Sequence, residues 1–318
     1  MTEKDRMIAK IAYLYYEKNK TQEEIGNSFK IHRSTVSRLL DQARKEDLIS
    51  FQLKLPEADS IRLEDFVREY YQLERLEIVD NQVGESIDEI RERVAERAAF
   101  VIRQVIQDEM QVGLSWGASL KASIDKIHPK QSKSTSFYPI AGAPSSLNSS
   151  YHVNTLVYRM AQIFHGETMY INHQVVQETS FLANKIYRQK EMQELQAKWK
   201  HLDLLIMGIG GELNFSESPW RDLLTASDRY ELEAKEVVGE LCCRFFDNEG
   251  RPANTELDQR IIGMALHELL QVPHKLAIAF GKHKVRAILV AMKQKYINTL
   301  VTDRQTIEAV LALEKAER

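Results

Sequence analysis

Beyond Pro56 the chain repeats one pattern: a stretch with apolar residues at three- and four-residue steps, followed by a short apolar run. Nothing else in the sequence limits the fold as much. A run of consecutive apolar residues needs cover on both sides, and strands separated by helices pair in parallel with the helices laid over the sheet. The candidate runs are Leu76–Val79, Val112–Leu114, Ser136–Ile140, Thr168–Ile171, Leu204–Met207, Val237–Leu241, Leu276–Phe280 and Thr299–Val301, with helices expected around 61–72 and 87–108. The predicted fold class is α/β, a doubly wound and mainly parallel sheet. Ligands of such sheets bind beyond the carboxyl ends of the strands.

Three segments just after such runs share a chemistry. Gly113-Leu114-Ser115-Trp116-Gly117-Ala118-Ser119-Leu120 passes from strand to helix through small residues, so backbone amides and the hydroxyls of Ser115 and Ser119 converge where an anion is favoured. Gly208-Ile209-Gly210-Gly211 allows close backbone approach, and Gly281-Lys282-His283-Lys284 adds cations, Lys284 being the basic residue selected. Together they describe an anion pocket. Asp247 lies in Asp247-Asn248-Glu249-Gly250, which is also a good turn sequence. Trp116 could stack on a sugar or pack the turn.

The first 55 residues read differently. Apolar residues from Ile8 to Tyr15 mark one helix face, Thr21 and Glu24 form a capping box for a two-turn helix from Gln22, and a third helix is predicted from Arg33 to Glu46. This is a helix-turn-helix pattern. Gly26 falls where the helices cross, and Lys30 occupies the tight turn that usually takes glycine, at a cost of roughly 1 kcal/mol. Gln22, Arg33, Ser34, Thr35, Ser37 and Arg38 are the candidate contacts to double-stranded DNA, because helix N-terminal positions reach base edges while Arg, Ser and Thr pair with guanine or phosphate. A strand is predicted over Leu48–Leu55, ended by Pro56, which sets domains at 1–55 and 56–318.

Charge follows the same division. The net charge is −3 overall, but residues 1–55 carry eleven Lys/Arg against eight Asp/Glu, leaving +3 there and −6 on the remainder. A small basic module joined to a larger acidic one fits nucleic-acid binding by the first alone. No window reaches the ~18 apolar residues of a membrane helix, and the amino terminus opens with charge, so a cytoplasmic protein without a membrane partner is expected. The two cysteines, Cys242 and Cys243, are adjacent and are read as reduced core residues. Neither His-Glu-x-x-His nor paired Cys-x-x-Cys occurs, so no metal or cofactor is expected.

The stretch Thr21–Gly26 with Ser34–Leu40, and the segments Gly113–Leu120, Asp203–Gly211, Gly239–Leu241 with Arg244–Asp247, and Lys284–Ile288 with Asn298–Asp303, resemble in order and spacing the SorC-type transcriptional regulators. The resemblance runs over most of the chain. It implies an effector domain similar to sugar-phosphate isomerases and glucosamine-phosphate deaminases, a phosphorylated sugar or polyol that alters operator affinity, and a homodimer or homotetramer. It places the ligand phosphate on Ser115, Trp116, Gly117, Ala118 and Ser119, with Gly210 and Gly211 flanking, Asp247 accepting sugar hydroxyls and Lys284 supplying charge.

Two enzyme readings compete. Gly113-Leu114-Ser115-Trp116-Gly117 has the form of a hydrolase elbow, yet no histidine is singled out as its base and a helix-turn-helix has no place in a hydrolase. A sugar-phosphate isomerase or deaminase carrying a DNA module is the stronger rival, since the fold permits that chemistry without proving it.

Overall fold

The computed structural model describes residues 3–46, 48–49, 58–128, 134–144, 151–213 and 219–318. The chain divides into two compact units, Met1–Ala58 and Asp59–Arg318.

The first unit holds α1 (Glu3–Tyr16), α2 (Gln22–Phe29) and α3 (Arg33–Lys45). Its core is small: Ile8, Ile11 and Ala12 of α1, Ile25 of α2, and Val36, Leu39, Leu40 and Ala43 of α3. Thr21 and Glu24 form the capping box, each satisfying an amide that the helix start leaves unpaired. Lys30 ends α2 in the left-handed region at φ 56°, the strained turn the sequence predicts. Gly26 is required by contact, since a Cβ there would lie 2.8 Å from the carbonyl oxygen of Ile31. The strand predicted over Leu48–Leu55 lies outside the described residues except for Leu48 and Ile49, which form a bend. The polar stretch Ser145–Ser150 is also outside them.

The second unit runs α4 (Ala58–Tyr71), β1 (Arg75–Val79), α5 (Ile87–Val105), β2 (Gln111–Leu114), α6 (Ala118–Asp125), β3 (Ser136–Pro139), α7 (Val153–Phe164), α8 (Ser180–Tyr187), α9 (Lys190–Trp199), β4 (Leu204–Gly208), α10 (Ala226–Ala234), β5 (Gly239–Leu241), β6 (Arg244–Phe246), α11 (Glu256–Arg260), α12 (Leu266–Leu269), β7 (His274–Ile278), α13 (Val285–Lys293), β8 (Thr299–Asp303) and α14 (Arg304–Glu317). Six strands form one sheet in the order β1-β8-β7-β4-β2-β3, with every pairing parallel. All five residues of β8 are buried, as are the first four of β4. Because side chains alternate across a strand, such runs mean that both faces of the sheet are covered.

The topology fixes where a ligand can enter. From β2 the chain steps outward to β3, whereas from β4 it steps the other way, to β7 and then β8. β2 and β4 are neighbours, so the loops that leave their carboxyl ends diverge and open a crevice between them.

Two predicted strands need correction. Thr168–Ile171 is not a strand: a single bridge joins Thr168 to Phe137 at the margin of β3. Val237–Leu241 does not join the main sheet. Its end, β5, pairs antiparallel with β6, an element the sequence reading missed, and the two form a hairpin turned by Cys242 and Cys243. Both cysteines have positive φ, 51° and 66°, as a two-residue hairpin turn of the favoured hand requires. Both thiols are buried and free, and burial pushes each well above the ordinary thiol range.

Candidate DNA interface and effector cleft

The amino-terminal end of α3 is built by His32. Its ring Nδ1 accepts the Ser34 amide at 3.3 Å and lies 2.8 Å from the Ser34 hydroxyl, while its carbonyl accepts the Thr35 amide at 2.8 Å. His32 is therefore a helix cap. Arg33, Ser34 and Arg38 are exposed, and Gln22, Thr35 and Ser37 are half-buried. Arg44 is held elsewhere: its Nη2 and Nε donate to the Tyr16 hydroxyl at 2.8 and 3.1 Å, joining α3 to α1. The exposed candidates thus stand at the start of α3, and its far end is tied into the unit.

In the second unit, one cleft gathers all but one of the predicted effector residues. Its lining includes Ser115, Trp116, Gly117, Ala118 and Ser119 from the turn after β2, Gly210 and Gly211 from the loop after β4, and Lys284 from the turn after β7. The Ser115 amide donates to the Ile206 carbonyl at 3.1 Å, extending the β2–β4 pairing to the first residue of the turn. Gly117 adopts φ 141°, which an L side chain rarely does, and so begins α6. The first helical bond of α6 is Lys121 amide to Gly117 carbonyl, so the amides before it are the donors a helix start presents to an anion. Trp116 is anchored through its Nε1 on the Gly142 carbonyl at 2.9 Å and meets Trp220 edge to face at 6.3 Å. It packs the turn.

The glycines after β4 are dictated by their neighbours. A Cβ on Gly210 would lie 2.2 Å from the Glu240 side chain, and one on Gly211 would lie 2.0 Å from the His283 carbonyl oxygen. Gly210 and Glu240 exchange both backbone hydrogen bonds at 3.0 Å, which brings the β5–β6 hairpin to the cleft.

The sequence reading did not select Glu240, Trp220 or Arg221, and it took His283 of the Gly281–Lys284 segment for a solvated side chain; all four line the cleft. Glu240 is 5% exposed and accepts the Trp220 Nε1–H at 2.9 Å. Burial pushes its carboxyl above the usual range, against the opposing pull of Arg221, Trp220, Lys284 and the Cys243 amide. His283 is pushed down to about 4, first by burial and then by Lys284 and Arg221, so its ring is neutral at pH 7. A lone acid inside the apolar run Val237–Leu241 was the available signal for Glu240. Trp220 and Arg221 carry no such mark.

Asp247 is not brought to this cleft. Its carboxylate accepts the amides of Glu249 and Arg251 and the Arg251 Nε–H, each at 2.9 Å, closing the turn that Gly250 completes at φ 73°. Burial raises this carboxyl, but the Arg251 amide and guanidinium outweigh it and hold it below the usual range. The turn role is the one its contacts support. No helix among the described residues is long and apolar enough to cross a membrane.

Residues 56–312 match the family described as "Putative sugar-binding domain", and residues 2–46 match region 4 of sigma-70. The chain is 28% identical to the sorbitol operon regulator of Klebsiella pneumoniae over 96% of its own length and 98% of the relative's. It is 24% identical to the deoxyribonucleoside regulator of Bacillus subtilis (strain 168), over 97% and 98%. The crystal structure of a transcriptional regulator from Streptococcus pneumoniae TIGR4 superposes with a TM-score of 0.77 at 40% identity, covering 81% of this chain and 99% of that one. The full-length Klebsiella regulator also superposes with a TM-score of 0.77, at 27% identity over 98% and 100%. With a parallel α/β sheet, a switch-point cleft and a helix-turn-helix unit in one polypeptide, the chain belongs to the sugar-binding-domain family of SorC-type transcriptional regulators.

Proposed function

We propose that this protein is a DNA-binding regulator of a carbohydrate-utilisation operon, whose operator affinity is set by a sugar or polyol, phosphorylated or free, held in the cleft between the β2 and β4 loops. The observation that carries the reading is the pairing, in one chain, of an exposed surface of Arg33, Ser34 and Arg38 at the start of α3 with a switch-point cleft lined by Ser115, Ser119, Gly210, Gly211 and Lys284. Arg33 and Arg38 read guanine edges or hold phosphate, while Gln22, Ser34, Thr35 and Ser37 set the register on the duplex. An anionic group of the effector takes the α6 amides and the Ser119 hydroxyl on the turn that Ser115 begins, and Lys284 adds its charge. The work is done in the cytoplasm, where the operator is.

A symmetric dimer or tetramer presents two recognition helices to half-sites one helical turn, or a multiple of it, apart. The effector acts through its unequal affinity for the two arrangements of those heads, with a coupling of about 1–3 kcal/mol. Turnover of the effector has no part in this reading: the Ser115 hydroxyl is only 5% exposed as a residue and donates to the Trp116 carbonyl at 3.3 Å, the contact of a structural turn rather than of a nucleophile.

The test is thermal melting of the full chain against sorbitol, sorbitol 6-phosphate, fructose 6-phosphate, glucosamine 6-phosphate, 2-deoxyribose 5-phosphate and inorganic phosphate. A raised melting temperature with one sugar of the panel, lost in Ser119→Asp for a phosphorylated member, is expected because binding to the native state alone stabilises it. An unchanged response in Ser119→Asp moves the anion site away from this turn.

A further inference from the structure

His283 lies half-buried on the turn after β7 and lines the effector cleft. Its backbone is fixed from two sides. The His283 carbonyl accepts the Glu212 amide at 3.0 Å, tying the turn to the loop after β4, and the Gly281 carbonyl accepts the Lys284 amide at 3.0 Å, closing the turn on itself. Gly281 takes φ 103° and makes room for the imidazole: a Cβ there would lie 3.0 Å from Cε1 and 3.3 Å from Nδ1 of His283. The ring is folded back over Gly281.

Charge around this ring is uneven. Lys282 and Lys284 flank it, Lys282 exposed, and Arg221 adds its charge from the turn Pro219–Leu223. The acids on the surrounding elements are engaged or turned to solvent. Glu240 of β5 stands 3.6 Å from the Arg221 Nη2, Asp303 at the head of α14 accepts the Thr306 amide and hydroxyl, and Glu212 is exposed. On α13, Arg286 is paired with Glu317 of α14. Burial and two cations thus oppose a charged imidazole. A phosphate group reverses that balance, because it carries about −1.5 to −2 of charge at pH 7 and a nearby opposite charge favours the protonated ring.

We propose that a phosphorylated effector is bound in this cleft together with a proton, which His283 takes up, whereas a free sugar or polyol is bound without one. The proposal rests on the reading of the cleft as the effector site and names how that site is regulated: the protein weighs phosphorylated sugar and acidity together. The sign follows from linkage. A ring that is easier to protonate in the complex adds affinity in full below its unbound midpoint, and that gain is lost as the pH rises through the bound midpoint.

Two measurements on the full chain test it with the panel above. In the first, the His283 ring resonances of the natural protein, assigned through bonds by NMR, are followed from pH 4.5 to 8. The ring titrates at about 4 without effector. Its midpoint should rise to about 6 on saturation with the best-binding phosphate ester and stay in place with the same sugar lacking phosphate. In the second, calorimetry gives the affinity for that ester at pH 7 and pH 5. The gain on acidification should be about tenfold larger in the natural protein than in His283→Asn. The ester's own ionisation near about pH 6 acts on both proteins alike and cancels in that ratio. A midpoint unmoved by the ester, or an equal gain in the two proteins, overturns the proposal and leaves the effector reading intact. Binding of unphosphorylated members alone does the same. Failure of every member to bind at any pH overturns the carbohydrate reading and the proposal with it. Should His283→Asn not fold, the resonances of the natural protein decide.

Discussion

The two units solve recognition in opposite ways. In the first, the surface proposed to meet DNA comes from one helix start: Arg33, Ser34 and Arg38 lie within six positions of each other and stay exposed because a core of eight buried side chains needs only the other face of α3. In the second, the cleft is assembled from turns that are distant in sequence, after β2, β4 and β7, and from the β5–β6 hairpin, all brought together by the strand order. The first site depends on a local pattern and the second on topology. Errors in one therefore stay local, while errors in the other spread through backbone contacts.

Substitutions at contact glycines should separate the two units most sharply. Gly26→Leu drives a side chain into the Ile31 carbonyl, 2.8 Å from the position of its Cβ, in a unit too small to absorb the strain. It should remove about 3 kcal/mol or more and abolish operator binding in a gel-shift titration, while sugar-dependent melting of the second unit persists. Loss of both responses would mean that the units are not independent. Gly211→Val is the mirror experiment. Its Cβ would sit 2.0 Å from the His283 carbonyl, so the melting shift with effector should vanish, with operator binding in the absence of effector kept.

The contrast also explains what was legible in the sequence. The capping box at Thr21, the crossing residue Gly26 and the strained Lys30 could be read because each depends on neighbours a few positions away. Ser115 to Ser119, Gly210, Gly211 and Lys284 could be placed because ligands of parallel sheets gather after the strands, a rule needing strand positions only. Arg221 and Trp220 could not, since their value lies in reaching Glu240 from a turn that the sequence separates from it by some twenty positions. Asp247 shows the converse: a residue carried over by resemblance satisfies its own turn, and no pattern in the sequence distinguishes the two roles. The hairpin β5–β6 escaped because Cys-Cys is not a turn dipeptide, although both residues take the backbone conformation that such a turn demands.

Smaller effects refine the DNA side. Arg38→Ala should cost about 1–3 kcal/mol in operator affinity, with discrimination flattened at one base pair if the guanidinium meets a base edge, or a uniform loss and a shallower salt slope if it meets phosphate. Competition binding against single-base operator variants separates these outcomes, and no change in either quantity removes Arg38 from the interface. Lys30→Gly should be the mildest: relief of the left-handed backbone at φ 56° raises the unit's stability by about 1 kcal/mol, read from chemical denaturation. A destabilised variant would show that the lysine side chain contributes more than its backbone costs.

The central claim is that the cleft and the α3 surface bias one equilibrium. Fluorescence anisotropy of a labelled promoter fragment, titrated with the full chain at two salt concentrations and with or without the best-stabilising sugar, tests this most directly. Salt-sensitive binding that changes about 5- to 150-fold with the sugar, matched by an equal change in sugar affinity when DNA is present, is the predicted result. Operator affinity that is the same with the sugar bound and absent would contradict it.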